Sequence, residues 1–146
     1  MTNTVTAVAV FVTLAARRGG AARRMRTLGD IEPLMPRNAA ETLWTGLLSL
    51  NAGVGEELFF RLTLPLLIAL ATGNALAGLA GAGLVFGLAH VYQGWVGVAA
   101  TTVVGFVFTG LYLWSGGLAA PMAAHAGLDL MALVVRPTLT RMATAS

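Results

Sequence analysis

Two acidic residues and one basic residue stand close together in a stretch of the sequence that is otherwise uncharged and mostly apolar. Glu56, Glu57 and Arg61 lie between Leu43 and Leu70, and a charged side chain near the middle of a bilayer costs roughly 2.5 to 3.5 kcal/mol. Glu57 and Arg61 are four residues apart and share a helix face, whereas Glu56 is rotated by about 100° from Glu57. The spacing therefore predicts a Glu57–Arg61 pair and a freer carboxylate at Glu56.

The other ionisable residues of the apolar region lie in two later segments. His90 follows Phe86 by four residues, and His125 and Asp129 are also four apart, so the members of each pair share a helix face. Both histidines of the chain belong to this set. Three separate segments thus each contribute acid–base groups, which predicts a shared polar pocket inside the membrane.

Two hydrolytic mechanisms fit these residue types, and the sequence does not separate them. In the first, Glu56 takes a proton from water, and His90 holds that water or passes the proton to the leaving amine. His125 and Asp129 then face the carbonyl oxygen as charge develops on it. In the second, two histidines and a carboxylate (Glu56, His90 and His125) ligate a divalent metal such as zinc and leave one position for water.

Each of these residues also has a purely structural interpretation. Glu57 and Arg61 can form an ion pair that only neutralises itself within one helix, and a lone intramembrane histidine is more often a hydrogen-bonded packing residue than a ligand. Asp129 can accept a hydrogen bond from His125 and fix its tautomer. The functional interpretation is favoured because the apolar segments contain almost no polar residues beyond groups that activate water or bind metal.

The composition is that of a membrane protein. Of the 146 residues, 57% are hydrophobic and 10% are charged, whereas soluble domains carry about a quarter of charged residues. The sequence contains neither lysine nor cysteine. It therefore excludes a Schiff base, a Walker-type phosphate loop, a disulfide, a thiolate nucleophile and a cysteine-ligated zinc site.

The hydropathy pattern predicts an all-α fold, a polytopic transmembrane bundle of about five to six helices. We divide the chain into an N-terminal apolar helix (1–16), a basic loop (17–38), a membrane domain that carries the polar residues (39–136) and a C-terminal tail (137–146). Six of the nine arginines lie in the basic loop, which the positive-inside rule places in the cytoplasm. Because this loop has almost no interleaved aromatic residues, we do not expect it to bind nucleic acid.

Polar and small residues mark the helix ends within the membrane domain. The predicted cap, turns and final stop are Asn38, Gly73-Asn74, Gln93-Gly94, Ser115-Gly116-Gly117 and Arg136-Pro137. We also favour a break at Gly53–Gly55, because a helix that opens at Glu56 places this residue on the same side as His90. With this break the C-terminus lies outside. The alternative is one long helix from Ala39 to Ala71, which returns the C-terminus to the cytoplasm.

Three short motifs resemble those of a known family. Glu56-Glu57-Leu58-Phe59-Phe60-Arg61 matches EExxxR, Phe86-Gly87-Leu88-Ala89-His90 matches FxxxH, and His125-Ala126-Gly127-Leu128-Asp129 matches a variant of HxxxN. In this order, each within an apolar segment, they resemble the CPBP family of intramembrane proteases, also called the type II CAAX prenyl endopeptidase or ABI family. The resemblance covers roughly residues 39–135.

The resemblance implies hydrolysis of peptide bonds at the membrane. It makes Glu56 the base that activates water, His90 its partner, and His125 with Asp129 an oxyanion hole; Glu57 and Arg61 complete the first motif. The name metalloprotease implies a divalent metal, although a metal-free glutamate mechanism is equally compatible. Asp129 stands where asparagine is usual, and an ionised aspartate repels an oxyanion, so Asp129 must be protonated, paired or a metal ligand.

These observations predict an integral protein of the bacterial cytoplasmic membrane whose partners are membrane lipid and a membrane-associated protein or peptide substrate. The alternative from another class is a non-catalytic scaffold or bacteriocin self-immunity protein that keeps the motif residues as a buried network. A proton-coupled transporter would need a continuous polar path, and the sequence supplies few residues to line one.

Overall fold

The computed structural model describes residues 29–145, and every regular element within them is helical. The elements are α1 (Ala39–Glu57), π1 (Leu58–Thr63), α2 (Leu64–Thr72), α3 (Ala75–Ala89), α4 (Gly94–Ser115), α5 (Ala119–Leu130), π2 (Met131–Val135) and α6 (Arg136–Ala145). Short 3-10 turns, Glu32–Leu34 and Val91–Gln93, precede α1 and α4. The predicted all-α class is confirmed.

The described residues form four continuous helical rods. The first rod joins α1, π1 and α2, the second is α3, the third is α4, and the fourth joins α5, π2 and α6. α2 packs on α3, α3 on α4, α4 on α5, and α5 on α1, so the rods close into a ring. The predicted bundle of five to six helices is therefore not reproduced in residues 29–145; the predicted N-terminal helix (1–16) and most of the basic loop lie outside them.

Caps and left-handed glycines end the rods where the sequence predicts. The Asn38 side chain accepts a hydrogen bond from the backbone N–H of Glu41 at 2.9 Å and so caps α1. Gly73 adopts a left-handed conformation with φ of 70°, and Asn74 then caps α3 through the N–H groups of Leu76 and Ala77. These turns fix the antiparallel return of α3 along α2.

The predicted break at Gly53–Gly55 is wrong, because α1 runs through these glycines without interruption. Gly53 serves close helix packing: a Cβ there would lie 2.7 Å from both the Cβ and the backbone nitrogen of Ala126 in α5. The break is also not needed to place His90 near Glu56. π1 (6 residues) and α2 (9 residues) together are as long as α3 (15 residues), which runs back along them. The end of α3, where His90 lies, therefore returns to the start of π1, next to Glu56 and Glu57 in the sequence.

The predicted helix end at Arg136-Pro137 is also wrong, since α6 continues to Ala145. Each π segment ends two residues before a proline, Pro65 after π1 and Pro137 after π2. A proline inside a helix lacks an N–H and clashes with the carbonyl four residues earlier. Local π turns are one way in which transmembrane helices accommodate proline, so both rods pass through their prolines.

Apolar side chains cover the outside of the bundle while charged groups lie inside it. Exposed leucine, valine and tryptophan residues line all four rods, whereas Glu57, Arg61 and His125 are buried. Among the described helices, one segment, Val91–Ser115, is long and apolar enough by length and composition to cross a membrane. Charged residues are almost never fully buried unless they are paired, and here Glu57 and Arg61 are buried as a pair.

Candidate active site

The close approach of α1 and α5 brings Glu57 and His125 together. Gly53 contacts Ala126 one helical turn before Glu57, and Ala126 directly follows His125. Nδ1 of His125 lies 2.7 Å from Oε1 of Glu57, and both side chains are buried. Because an ionised carboxylate can only accept, Nδ1 carries the hydrogen and the other ring nitrogen, Nε2, is turned towards the remaining site residues.

The second oxygen of Glu57 pairs with Arg61, as the spacing predicts. Nε of Arg61 lies 2.9 Å from Oε2 of Glu57, and the two side chains are 1% and 0% exposed. The separation is that of a close ion pair, although the N–H direction does not make it a hydrogen bond. Glu57 thus binds a cation with one oxygen and an imidazole with the other.

Arg61 is held by groups of α3 and α4 as well as by Glu57. Its Nη2 donates to the carbonyl oxygen of Gly105 at 3.1 Å. Its guanidinium carbon lies 4.6 Å from the ring centre of Phe86 and 5.4 Å from that of Phe108. A buried guanidinium is stabilised by such aromatic faces and by a carbonyl acceptor.

Two further carboxylates face Nε2 of His125. Oε2 of Glu56 lies 3.9 Å from this nitrogen and Oδ2 of Asp129 lies 3.7 Å from it. Both distances are too long for a direct hydrogen bond but suit a bridging water molecule. The side chains of Glu56 and Asp129 are 36% and 32% exposed, whereas His125 is 7% exposed. The site therefore opens outward at Glu56 and Asp129 and is closed at His125.

One contact that the structural interpretation allowed for Asp129 does not form. The sequence allowed Asp129 to accept from His125 and fix its tautomer, but Glu57 does so at 2.7 Å, and Asp129 lies on the Nε2 side at 3.7 Å. His125 and Asp129 share a helix face because they are four residues apart, yet the imidazole ring of His125 turns its Nδ1 towards α1. Of the three states left open for Asp129 (protonated, paired or a metal ligand), the paired one is available, because Nε2 of His125 lies 3.7 Å from its Oδ2.

His90 lies beside this group without bonding to it. Its Nδ1 donates to the carbonyl oxygen of Phe86 at 2.8 Å, which leaves Nε2 available. Its ring lies 4.8 Å from that of Phe86, and the ring of Phe86 lies 5.9 Å from that of His125. In the described part of the chain no hydrogen bond or ion pair joins His90 to Glu56.

Two residues of α4 that the sequence reasoning missed also belong to the site. The ring of Phe108 lies 5.2 Å from that of His125, and Gly105 supplies the carbonyl that binds Arg61. Gly105, Phe108 and Thr109 are all buried and occupy one face of α4. A small residue followed by an aromatic residue three positions later marks such a face, but the pattern does not identify the helix that it contacts.

The predicted metal ligands do not form a metal-binding cluster in the described residues. No group of three or more histidine, aspartate or glutamate side chains within residues 29–145 is arranged to hold an ion. Glu56 and His125 are neighbours, but within residues 29–145 no hydrogen bond or ion pair joins His90 to either. Metal binding by Glu56, His90 and His125 stays a prediction.

Comparison with known proteins places this site within a family. The family model described as type II CAAX prenyl endopeptidase Rce1-like matches residues 38–131, a range that contains all six predicted site residues. No curated protein and no solved structure matches the chain. Membership implies a membrane-integral protein with a CAAX-protease-like function. Since the match covers well over half of the sequence, the chain belongs to the Rce1-like family of type II CAAX prenyl endopeptidases.

Proposed function

We propose that this protein is an intramembrane endopeptidase that hydrolyses a peptide bond of a membrane-associated protein or peptide, with Glu56 as the base that activates water. The observation that carries the proposal is the position of the Glu56 carboxylate. The Glu56 side chain is about one third exposed, whereas its Oε2 is buried without a hydrogen bond and lies 3.9 Å from Nε2 of His125, whose other nitrogen is held at 2.7 Å by Glu57. A water molecule between Glu56 and His125 would meet a base and a fixed imidazole together.

Each step of the hydrolysis then has a group to perform it. Glu56 takes a proton from the water as its oxygen bonds to the carbonyl carbon, and the carbonyl electron pair moves to oxygen. When the intermediate collapses, the carbon–nitrogen bond breaks, its electron pair stays on nitrogen, and that nitrogen takes the proton from Glu56. Because Glu57 holds the Nδ1–H of His125, Nε2 donates to the oxyanion only when it carries a second hydrogen. The carboxylates of Glu56, Glu57 and Asp129 around the ring favour this protonated imidazolium.

Glu57 and Arg61 act on the reaction through His125. Glu57 fixes the orientation of the imidazole, in the way that a buried carboxylate orients a catalytic histidine. Arg61 offsets the charge of Glu57, which would otherwise be buried without a cation. His90 remains the second histidine of the proposed site, with its free Nε2 available to a substrate or to a water molecule.

The rival function is a non-catalytic membrane scaffold or immunity protein. In such a protein the polar residues would form a closed network, as Glu57 and Arg61 do here. Glu56 and Asp129 favour catalysis instead, because their side chains are 36% and 32% exposed and the Glu56 oxygen that faces His125 is left without a hydrogen bond, which a purely structural network would satisfy.

The experiment is product analysis with the purified full chain in lipid vesicles. The probe is a farnesylated peptide that ends in cysteine and three further residues, together with unprenylated and internal-sequence peptides of equal length. We expect mass spectrometry to find hydrolysis at one peptide bond of at least one membrane-bound probe. Stable association with the probes and no cleavage of any of them would support the scaffold and contradict the protease.

A further inference from the structure

The third rod, α4, contributes buried residues to the site, although none of the three sequence motifs lies on it. Gly105, Phe108 and Thr109 face inward from α4. Phe108 is 3% exposed, so its ring lies almost entirely inside the bundle. The side chain of Thr109 and the guanidinium of Arg61 both donate to the Gly105 carbonyl, at 3.0 and 3.1 Å.

Phe108 contacts both ends of the Arg61–Glu57–His125 chain. Its ring centre lies 5.4 Å from the guanidinium carbon of Arg61 and 5.2 Å from the ring centre of His125, at an interplanar angle of 32°. Glu57 joins the same two residues from the opposite side, at 2.9 and 2.7 Å. The four side chains therefore form a closed cycle, in which neither Arg61 nor His125 can rotate without losing two contacts.

Gly105 is required for this arrangement by its lack of a side chain. A Cβ at Gly105 would lie 2.8 Å from a ring carbon of Phe86, and the Phe86 ring also packs on the Arg61 guanidinium, with its centre 4.6 Å from the guanidinium carbon. The glycine lets the two aromatic rings flank the cation while its carbonyl binds the same cation.

We propose that Phe108 is a positioning residue of the site, which holds Arg61 and His125 in the orientation that keeps Nε2 of His125 beside Glu56. Phe108 acts through the two residues that it contacts, Arg61 and His125. The kinetic part of this inference rests on the proposed protease function, whereas the orientation of His125 can be measured without any substrate.

The test compares Phe108→Leu with Phe106→Leu, which removes a ring from the same helix at a position 41% exposed. Leucine keeps an apolar side chain but lacks the aromatic face. We expect Phe108→Leu to lower kcat by about 10- to 100-fold with little change in KM, because small displacements of catalytic groups have effects of this size. Phe106→Leu is expected to keep kcat within about twofold of the parent protein, since the Phe106 ring lies against Gly83 of α3 and, within residues 29–145, no ring or cation–π contact joins it to the cycle.

A second readout is the ring-nitrogen NMR spectrum of protein labelled at histidine. The chain has two histidines, so a His90→Gln variant assigns the His125 signals. We expect the Nδ1–H signal of a short hydrogen bond to carboxylate in the parent protein, and loss or fast solvent exchange of that signal in Phe108→Leu. If Phe108→Leu leaves both this signal and kcat as in Phe106→Leu, Phe108 only packs and the inference is wrong. If no variant or parent cleaves any probe, the His125 signal alone decides the inference.

Discussion

At the scale of single residues, the site is a buried chain of charges with one open end. Arg61 offsets Glu57, and Glu57 holds His125. Glu56, next to Glu57 in sequence, is rotated out of this chain and remains partly exposed. Two adjacent glutamates thus receive different roles from helix geometry alone, because neighbouring positions on a helix point about 100° apart.

The first prediction concerns the buried ion pair. Arg61→Met leaves Glu57 buried without its cation, and we expect this variant to lose about 3 to 5 kcal/mol of the free energy of unfolding in detergent micelles. Arg37→Met, at an exposed position before α1, is the control and should change this free energy by less than about 0.5 kcal/mol.

The double variant Glu57→Gln with Arg61→Met separates charge from packing. The neutral pair removes the uncompensated carboxylate, so we expect the double variant to recover most of the lost free energy of unfolding. A double variant no more stable than Arg61→Met alone would show that Arg61 stabilises the bundle by packing, and not by offsetting Glu57.

The sequence predicts these residues better than it predicts their contacts. The Glu57–Arg61 pair follows from a spacing within one helix, which is why it could be predicted. The bond from His125 to Glu57 joins α5 to α1, and it depends on the rotation and depth of one helix against another. Spacing within a segment contains no information on the rotation and depth of one helix against another. It therefore allowed Asp129 as an acceptor that fixes the tautomer of His125.

At the scale of elements, contacts between small residues set the depth at which the catalytic helices meet. Gly53 of α1 lies against Ala126 of α5, and Gly87 of α3 lies against Thr102 of α4. The same glycine pattern that permits close packing also resembles a helix breaker in sequence. Whether such a glycine permits close packing or breaks the helix depends on the neighbouring helices. The glycine pattern alone does not specify these helices, and for this reason the predicted break at Gly53–Gly55 is wrong.

The second prediction tests the contact between α1 and α5. Gly53→Ala places a Cβ 2.7 Å from Ala126, and we expect it to lower the free energy of unfolding by about 1 to 3 kcal/mol. The same change should weaken the His125 to Glu57 hydrogen bond, because both lie within one turn of the contact. The histidine NMR signal described above measures this effect.

Gly55→Ala is the matched control on the same helix. A Cβ at Gly55 would meet nothing within 4 Å, and alanine is the better helix former by about 1 kcal/mol. We expect Gly55→Ala to be at least as stable as the parent protein. Equal losses from both substitutions would contradict the packing role assigned to Gly53.

At the scale of the whole molecule, the bundle turns apolar surface outward and closes four rods around a charged interior. Composition predicts the membrane environment and the hydropathy pattern predicts the all-α class, because both depend on many residues together. The number of rods depends on single positions, chiefly Gly53 and the prolines Pro65 and Pro137, where the chain continues as a helix. Whether the helix continues at such a position depends on packing against neighbouring helices and on π turns. An average over many residues contains no information about either.

The ring of rods also explains how distant parts of the sequence form one site. Glu56 and Glu57 come from the first rod, Phe86 and His90 from the second, Phe108 from the third and His125 from the fourth. All four rods therefore contribute side chains to one site, and of the six predicted site residues Glu56, His90 and Asp129 lie at its partly exposed side. A substrate peptide would approach from that side.

The most direct measurement is the turnover of a cleaved membrane peptide by Glu56→Gln in lipid vesicles, beside the parent protein and the control Glu32→Gln. Glutamine keeps the size of Glu56 but cannot take a proton from water, so we expect kcat to fall by about 10²- to 10⁴-fold. The control should be unaffected because Glu32 lies in the exposed 3-10 turn before α1. Circular dichroism should show that the variant is folded, since the Glu56 carboxylate oxygen that faces His125 makes no hydrogen bond. A folded Glu56→Gln protein that cleaves the peptide at the parent rate would contradict the assignment of Glu56 as the base.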